Sequence, residues 1–213
     1  MDTDIRHQCQ IYDGSPSNGL PAVAGAVKRH LDDGYRCIYL NSPPMVAGMR
    51  SYLAAMGVDV AGESAKMSLM LSSDQRHLID GHFEVDPMLD MLQDAAAQAL
   101  RDGYKGIWAA GDMTWELGPR HDFAKLLEYE WRLEDLLRKQ PTIRGICQYH
   151  AGTMPREAIR DALLTHTSIY INETLSRVNP HFIRTKTFAD LAAANRPDLN
   201  EVIAELCSSP SAD

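Results

Sequence analysis

Three groups of side chains in this sequence have types and spacings that could do chemistry. The first is a pair of histidine–cysteine steps, His7-x-Cys9 and Cys147-x-x-His150, which offer the imidazole and thiolate donors that Zn²⁺ favours. The second is the turn Gly14-Ser15-Pro16-Ser17-Asn18-Gly19-Leu20, with two glycines at almost the separation found in a phosphate-binding loop. The third is a set of polar and aromatic residues that follow apolar runs: Tyr12 and Asp13, Asn41 and Ser42, Asp112 to Trp115, and Tyr149 with His150. Asp112, His150 and Cys147 have the functional groups for acid–base or thiol catalysis. No G-x-S-x-G elbow, H-E-x-x-H helix or C-x-x-C pair accompanies them, so no catalytic residue is assigned and an enzyme is not expected.

The glycine turn fails as a nucleotide site on chemical grounds. It has no Lys to reach the β and γ oxygens and no hydroxyl after the second glycine to hold Mg²⁺, and Pro16 removes one amide donor. It reads as a plain strand-to-helix turn, and ATP hydrolysis is not expected.

The elements that position these groups follow from periodicity. Short apolar runs alternate with longer helical stretches, the pattern of βαβ units around a mostly parallel sheet. Strands are predicted at 9–12, 36–40, 68–72, 106–110 and 143–149. Helices are predicted from Val23 to Gly34, from Met45 to a C′ glycine at Gly57, from an Asp86-Pro87 start to Gly103, and over 123–139 and 155–164. The segment DQRHLIDGHFEVD reads as a polar loop and GDMTWELGPRHD as a turn. TSIYIN and RVNPHFI then read as an antiparallel hairpin, followed by a helical tail broken at Pro197 and a frayed end, SSPSAD. Residues 1–185 are read as one domain and 186–213 as a helical tail on it.

In open parallel sheets, ligands bind beyond the carboxyl ends of the strands, which selects the third group. Tyr12, Trp115 and Tyr149 there either wall an apolar pocket or close the top of the core. Asp112 either bonds a ligand or caps a loop, and His150 near it is a pH-tuned donor or acceptor. The same geometry disfavours the set His7, Cys9, Cys147 and His150 as one metal site. If the first and fifth strands are parallel neighbours, His7 sits at the amino end and His150 at the carboxyl end, several residues apart at about 3.3 Å each. One Zn²⁺ at about 2.0–2.3 Å from every ligand cannot span that gap, so no metal or other cofactor is expected.

Composition narrows the partners. A formal charge of -8 and a pI near 5.4 argue against binding a phosphate backbone. No apolar run reaches signal-peptide length or the roughly 18 residues of a membrane span, so a cytoplasmic protein is expected. Cys9, Cys37, Cys147 and Cys207 lack disulfide-framework spacing in a chain of 213 residues and read as reduced thiols.

The order of several blocks resembles a known family. HQCQIYDG at 7–14, GYRCIYLNSPP at 34–44, DGHFEVDPMLDML at 80–92, GYKGIWAAGDMTW at 103–115, LLEYEWRLEDLL at 126–137 and GICQYH at 145–150 are similar to the MEDS domain, the sensory domain of DcmR-type regulators. The resemblance implies a RecA/KaiC-like, three-layer α/β fold with a mostly parallel central sheet, here ending in an antiparallel hairpin and a C-terminal helix. It also implies recognition of a small, hydrocarbon-derived ligand and relay to a kinase or transcription regulator. On this basis the ligand-binding residues are Tyr12, Asp13, Asn41, Asp112, Trp115, Glu128, Tyr149 and His150. Glu128 and Glu130 read by themselves as a solvated helix face, and the family match makes one of the two, with Glu128 preferred, an inward-facing pocket partner; Asp112 takes the place of the Mg²⁺-binding acid of RecA-type proteins. The roughly 30 residues after the hairpin are too few and too acidic for a helix-turn-helix, so output is expected through a partner or a homo-oligomer. The alternatives are a small-molecule enzyme using Asp112, His150 and Cys147, or an adaptor that binds a regulator and no small ligand.

Overall fold

The computed structural model describes residues 6–118, 122–171 and 175–207. The end of the turn after Asp112, the hairpin connection, the SSPSAD tail and the Cys207 thiol lie outside what is described. Its elements in chain order begin with β1 (His7–Tyr12), α1 (Leu20–Asp32), β2 (Arg36–Leu40), α2 (Pro43–Ala55), α3 (Val60–Ala65) and β3 (Leu69–Ser72). The middle holds β4 (Leu78–Ile79), β5 (His82–Phe83), α4 (Val85–Arg101), β6 (Ile107–Asp112), α5 (Met113–Glu116) and α6 (Leu126–Lys139). The last third holds β7 (Ile143–His150), α7 (Arg156–Thr165), β8 (Ser168–Ile171), β9 (Leu175–Val178), α8 (Phe188–Ala192) and α9 (Leu199–Cys207).

The main sheet runs β3-β2-β6-β7-β1-β8-β9. Strands β3 to β8 along that order are parallel, and β9 returns antiparallel to β8 as a hairpin, with its second strand at Leu175–Val178 and not over the predicted RVNPHFI. Every residue of β1 is buried, as a parallel strand covered on both faces requires. The architecture is therefore the expected three-layer α/β one, with a hairpin edge.

Because side chains alternate across a pleated strand, each strand feeds two cores. Cys9, Ile11, Ile38, Ile107, Cys147 and Tyr149 join the core under α4, α6 and α7. Cys37, Tyr39, Trp108, Ala110 and Ile146 join the core under α1 and α2. Helix α1 meets that face with Leu20, Val23, Ala24 and Val27, spaced by three and four residues. Gly57 stops α2 at φ +82°, a left-handed position where glycine bears no Cβ penalty.

Two local expectations need correction. The segment read as a polar loop contains the β4–β5 hairpin, turning on Asp80 at φ +51° and Gly81 at φ +76°. Asp-Gly is a strong two-residue hairpin signal, and it stands in the sequence. Helix α4 also starts one residue before Asp86-Pro87, with Glu84 at the N-cap position. Pro87 thus lies inside the first turn, where its missing N–H leaves no intrahelical bond unmade.

Candidate functional site

The pleat decides which chemical residues can meet. Tyr12, Asp112 and His150 project on the α1–α2 face of the sheet, whereas His7, Cys147 and Tyr149 project on the α4–α6 face. Two separate polar constructions result.

On the first face, at the carboxyl edge, a cleft of about 290 Å³ is lined by Tyr12, Asn41, Asp112, Trp115, His150 and Thr153, with Pro16 and Met45 among its apolar walls. Asp112 ends β6 and caps α5. Its Oδ1 accepts the Thr114 and Trp115 amides at 3.0 and 3.1 Å, and its Oδ2 accepts the Tyr12 hydroxyl at 2.7 Å. Burial, and then the Asp112 charge and hydrogen bond, raise the Tyr12 phenol well above its ordinary range, so it stays a donor. Asp112 is thus a loop cap and the floor of the cleft at once. His150 Nε2 lies 2.8 Å from the Gly14 carbonyl, which can only accept, so this nitrogen carries a proton. Nδ1 then accepts from the Thr153 hydroxyl at 2.8 Å. The imidazole therefore ties the glycine turn to the end of β7. Asn41 donates to the Tyr39 hydroxyl at 3.0 Å and accepts the Ser42 amide at 2.7 Å, which fixes the chain as it enters α2. The Ser42 side chain makes no cap bond, and Pro43 and Pro44 that open α2 carry no N–H that would need one.

On the second face, α6 sends Glu130 inward to meet β1, β7 and the residue that follows α7. Glu130 Oε2 lies 3.2 Å from His7 Nε2, 3.5 Å from Cys147 Sγ and 3.5 Å from His166 Nε2, and its Oε1 accepts the Tyr149 hydroxyl. All five side chains are buried. Burial alone would lower the His7 imidazole, but hydrogen bonds to Glu130 and Glu134 and their charges push it up to about 9. Burial and the positive His7 take His166 down to about 3. Burial would raise Glu130, but the His166 and His7 imidazoles and the Tyr149 hydroxyl hold it below its ordinary value. Burial, and then Glu130, push the Cys147 thiol up. The cluster thus gathers two imidazoles, a carboxylate, a thiol and a phenol in one buried site.

A cavity of about 30 Å³ lined by His7, Gly111, Glu116 and Cys147 adjoins this cluster. It offers space for one or two waters and excludes an organic guest. Glu116 lies directly against Gly111, where a Cβ would fall 1.6 Å from its Oε1 and force the carboxylate to move. Glu116 Oε2 is buried without a hydrogen-bond partner, and burial followed by the Glu130 and Asp112 charges raises this carboxyl well above its ordinary value.

Of the predicted ligand residues, the structure brings Tyr12, Asn41, Asp112, Trp115 and His150 to one cleft. Asp13 sits exposed on the turn and bonds the Gly14 amide at 2.7 Å. Tyr149 is a core residue on the other face, because it is one pleat step from His150. Glu128 faces outward, with its side chain 43% exposed and 3.6 Å from Arg132. The inward carboxylate of the EYEW segment is Glu130, two residues on. The set Asp112, His150 and Cys147 is split between the two faces. His150 also lies apart from His7 and Cys147, as the parallel register of β1 with β7 requires. Glu130, passed over in favour of Glu128, and His166, which sequence reading missed, join that pair instead. The available signal was a buried-phase carboxylate on α6 at the spacing of Leu126, Leu133 and Leu137. Among the described residues, Cys9, Cys37 and Cys147 are free, buried thiols, and no helix is long and apolar enough to cross a membrane.

The model of one protein family, MEDS, the MEthanogen/methylotroph DcmR Sensory domain, matches residues 6–167. The chain belongs to the MEDS family. The matched span includes both constructions, from His7 to His166, and assigns this MEDS chain a sensory or signalling role. No curated protein sequence matches it. Among solved structures, an uncharacterized protein from Pyrococcus horikoshii, in complex with an unknown peptide, aligns with a TM-score of 0.56 at 13% identity, covering 78% of this chain and 76% of that one. A KaiC-like protein from Pyrococcus horikoshii OT3 aligns with a TM-score of 0.49 at 12% identity, covering 77% of this chain and 69% of that one. At 13% identity the first of these likenesses concerns the fold of the MEDS chain alone, an α/β sheet covered by helices on both faces.

Proposed function

We propose that this MEDS domain senses a small, partly apolar, hydrocarbon-derived molecule in the cleft at the carboxyl edge of the sheet and relays its presence to a regulatory protein. The observation that carries this reading is the convergence of Tyr12, Asp112, Trp115 and His150 on one cleft of about 290 Å³. That volume is at the lower end of the roughly 300–1,000 Å³ typical of drug-sized ligand sites, which suits a small guest. The apolar wall supplies affinity, and the Tyr12 hydroxyl and the His150 ring supply orientation. Tyr12 and His150 are already bonded to Asp112 and to the Gly14 carbonyl. A guest that competes for either bond shifts the turn leading into α1 or the start of α5, and those surfaces are where a partner or a second copy would read the change. The fold neighbour with a bound peptide makes a ligand-free adaptor the second reading.

The test is thermal unfolding of the purified chain against short-chain halocarbons, alcohols and amines. A guest at 100 times its Kd stabilises the folded state by about 2.7 kcal/mol, and Trp115→Ala is expected to abolish the shift while the variant stays folded. Equal shifts in wild type and Trp115→Ala would place binding elsewhere. No shift with any compound, together with a retained protein partner, would favour the adaptor.

A further inference from the structure

We propose that His7, Glu130, Cys147 and His166 form a tetrahedral binding site for one divalent cation of the Zn²⁺ class, separate from the ligand cleft. Their donor atoms, one from each residue, all lie within 4.8 Å of one another, and all four residues are buried. A tetrahedral ion with bonds of about 2.0–2.3 Å needs its ligand atoms about 3.3–3.8 Å apart. Of the six separations, three lie in that range, His7 Nε2 to Cys147 Sγ at 3.7 Å and Glu130 Oε2 to Cys147 Sγ and to His166 Nε2 at 3.5 Å each, and His7 Nε2 to Glu130 Oε2 at 3.2 Å falls just short of it. Two imidazoles, a thiolate and a carboxylate are the borderline donors that suit Zn²⁺.

The surroundings point the same way independently. His7 Nδ1 bonds Glu134 at 3.2 Å and His166 Nδ1 lies 2.8 Å from the Ala162 carbonyl. Metal-bound histidines characteristically use the other ring nitrogen in this manner, on a carboxylate or a backbone carbonyl, and so direct Nε2 at the ion. His166 Nε2, wholly buried and aimed into the cluster, makes no hydrogen bond there. The second Glu130 oxygen is held by Tyr149, which fixes the carboxylate as a one-oxygen ligand. Four protein ligands without an open position make a closed, structural site. An ion there would tie β1, α6, β7 and the α7–β8 junction together.

Stripping the full chain with a chelator and titrating it with Co²⁺, a spectroscopic stand-in for Zn²⁺, tests the proposal. The expected result is uptake of one ion per chain, with intense tetrahedral d–d bands and a thiolate-to-cobalt charge-transfer band, both erased by added Zn²⁺. Cys147→Ser is expected to remove the charge-transfer band, and His166→Gln to weaken binding at least tenfold. Failure to take up Co²⁺, or weak octahedral bands with no thiolate transition, would overturn the proposal. The wild-type spectrum alone decides this if either variant fails to fold.

Discussion

The two faces of this sheet bury carboxylates in opposite ways. On the α1–α2 face, Asp112 accepts three hydrogen bonds, two from backbone amides and one from Tyr12, at the rim of an open cleft. On the α4–α6 face, Glu130 is held among side chains alone, two imidazoles, a thiol and a phenol, beneath a helix and away from water. Backbone donors are fixed by the fold and cannot lose a proton, so the first arrangement suits a permanent, rigid site that a guest can probe. Side-chain partners titrate and exchange roles, so the second suits an ion or a proton shared among several residues.

The comparison predicts a ranking of effects. The largest belongs to Glu130→Ala in metal-free protein, which leaves a buried His7 cation with only Glu134 and should cost about 3–5 kcal/mol in urea unfolding. A loss below about 1 kcal/mol would mean that the cluster carries no buried charge. Next is Glu116→Gln, which removes the carboxyl that Gly111 accommodates. Its raised value means that the folded chain keeps a proton that the unfolded chain releases above about 4.5, so the stability Glu116 allows at low pH is lost as pH rises. The glutamine variant should match wild type near pH 4 and become the more stable of the two as pH rises to 8. A difference independent of pH would show that Glu116 ionises freely. The smallest effect is assigned to Glu128→Ala. Its half-exposed pair with Arg132 should be worth less than about 0.5 kcal/mol, in direct contrast to Glu130 two residues away. Comparable losses from the two would erase the distinction between inward and outward faces of α6.

Much of this arrangement was legible in the residues. The apolar runs marked the five strands β1, β2, β3, β6 and β7, and the rule for the carboxyl ends of strands selected Tyr12, Asn41, Asp112, Trp115 and His150, which do share a cleft. Tyr149 was misplaced because adjacent residues of a strand point to opposite faces, so a residue beside a site residue is usually outside the site. Glu128 was misplaced because the phase of α6 depends on which stripe packs on the sheet, and Leu126, Tyr129, Glu130, Leu133 and Leu137 form that stripe. The β4–β5 hairpin was legible in Asp80-Gly81 and overlooked because two-residue strands leave almost no alternation to detect.

The sequence by itself determined the alternation of strands and helices, the glycine that ends α2 and the absence of phosphate-gripping side chains, since each depends on residues within one or two turns of each other. Only the tertiary structure decided that His7, Glu130, Cys147 and His166 meet. They come from β1, α6, β7 and the end of α7, and sequence spacing does not encode distances that are set by strand order and by which way a helix rolls on a sheet.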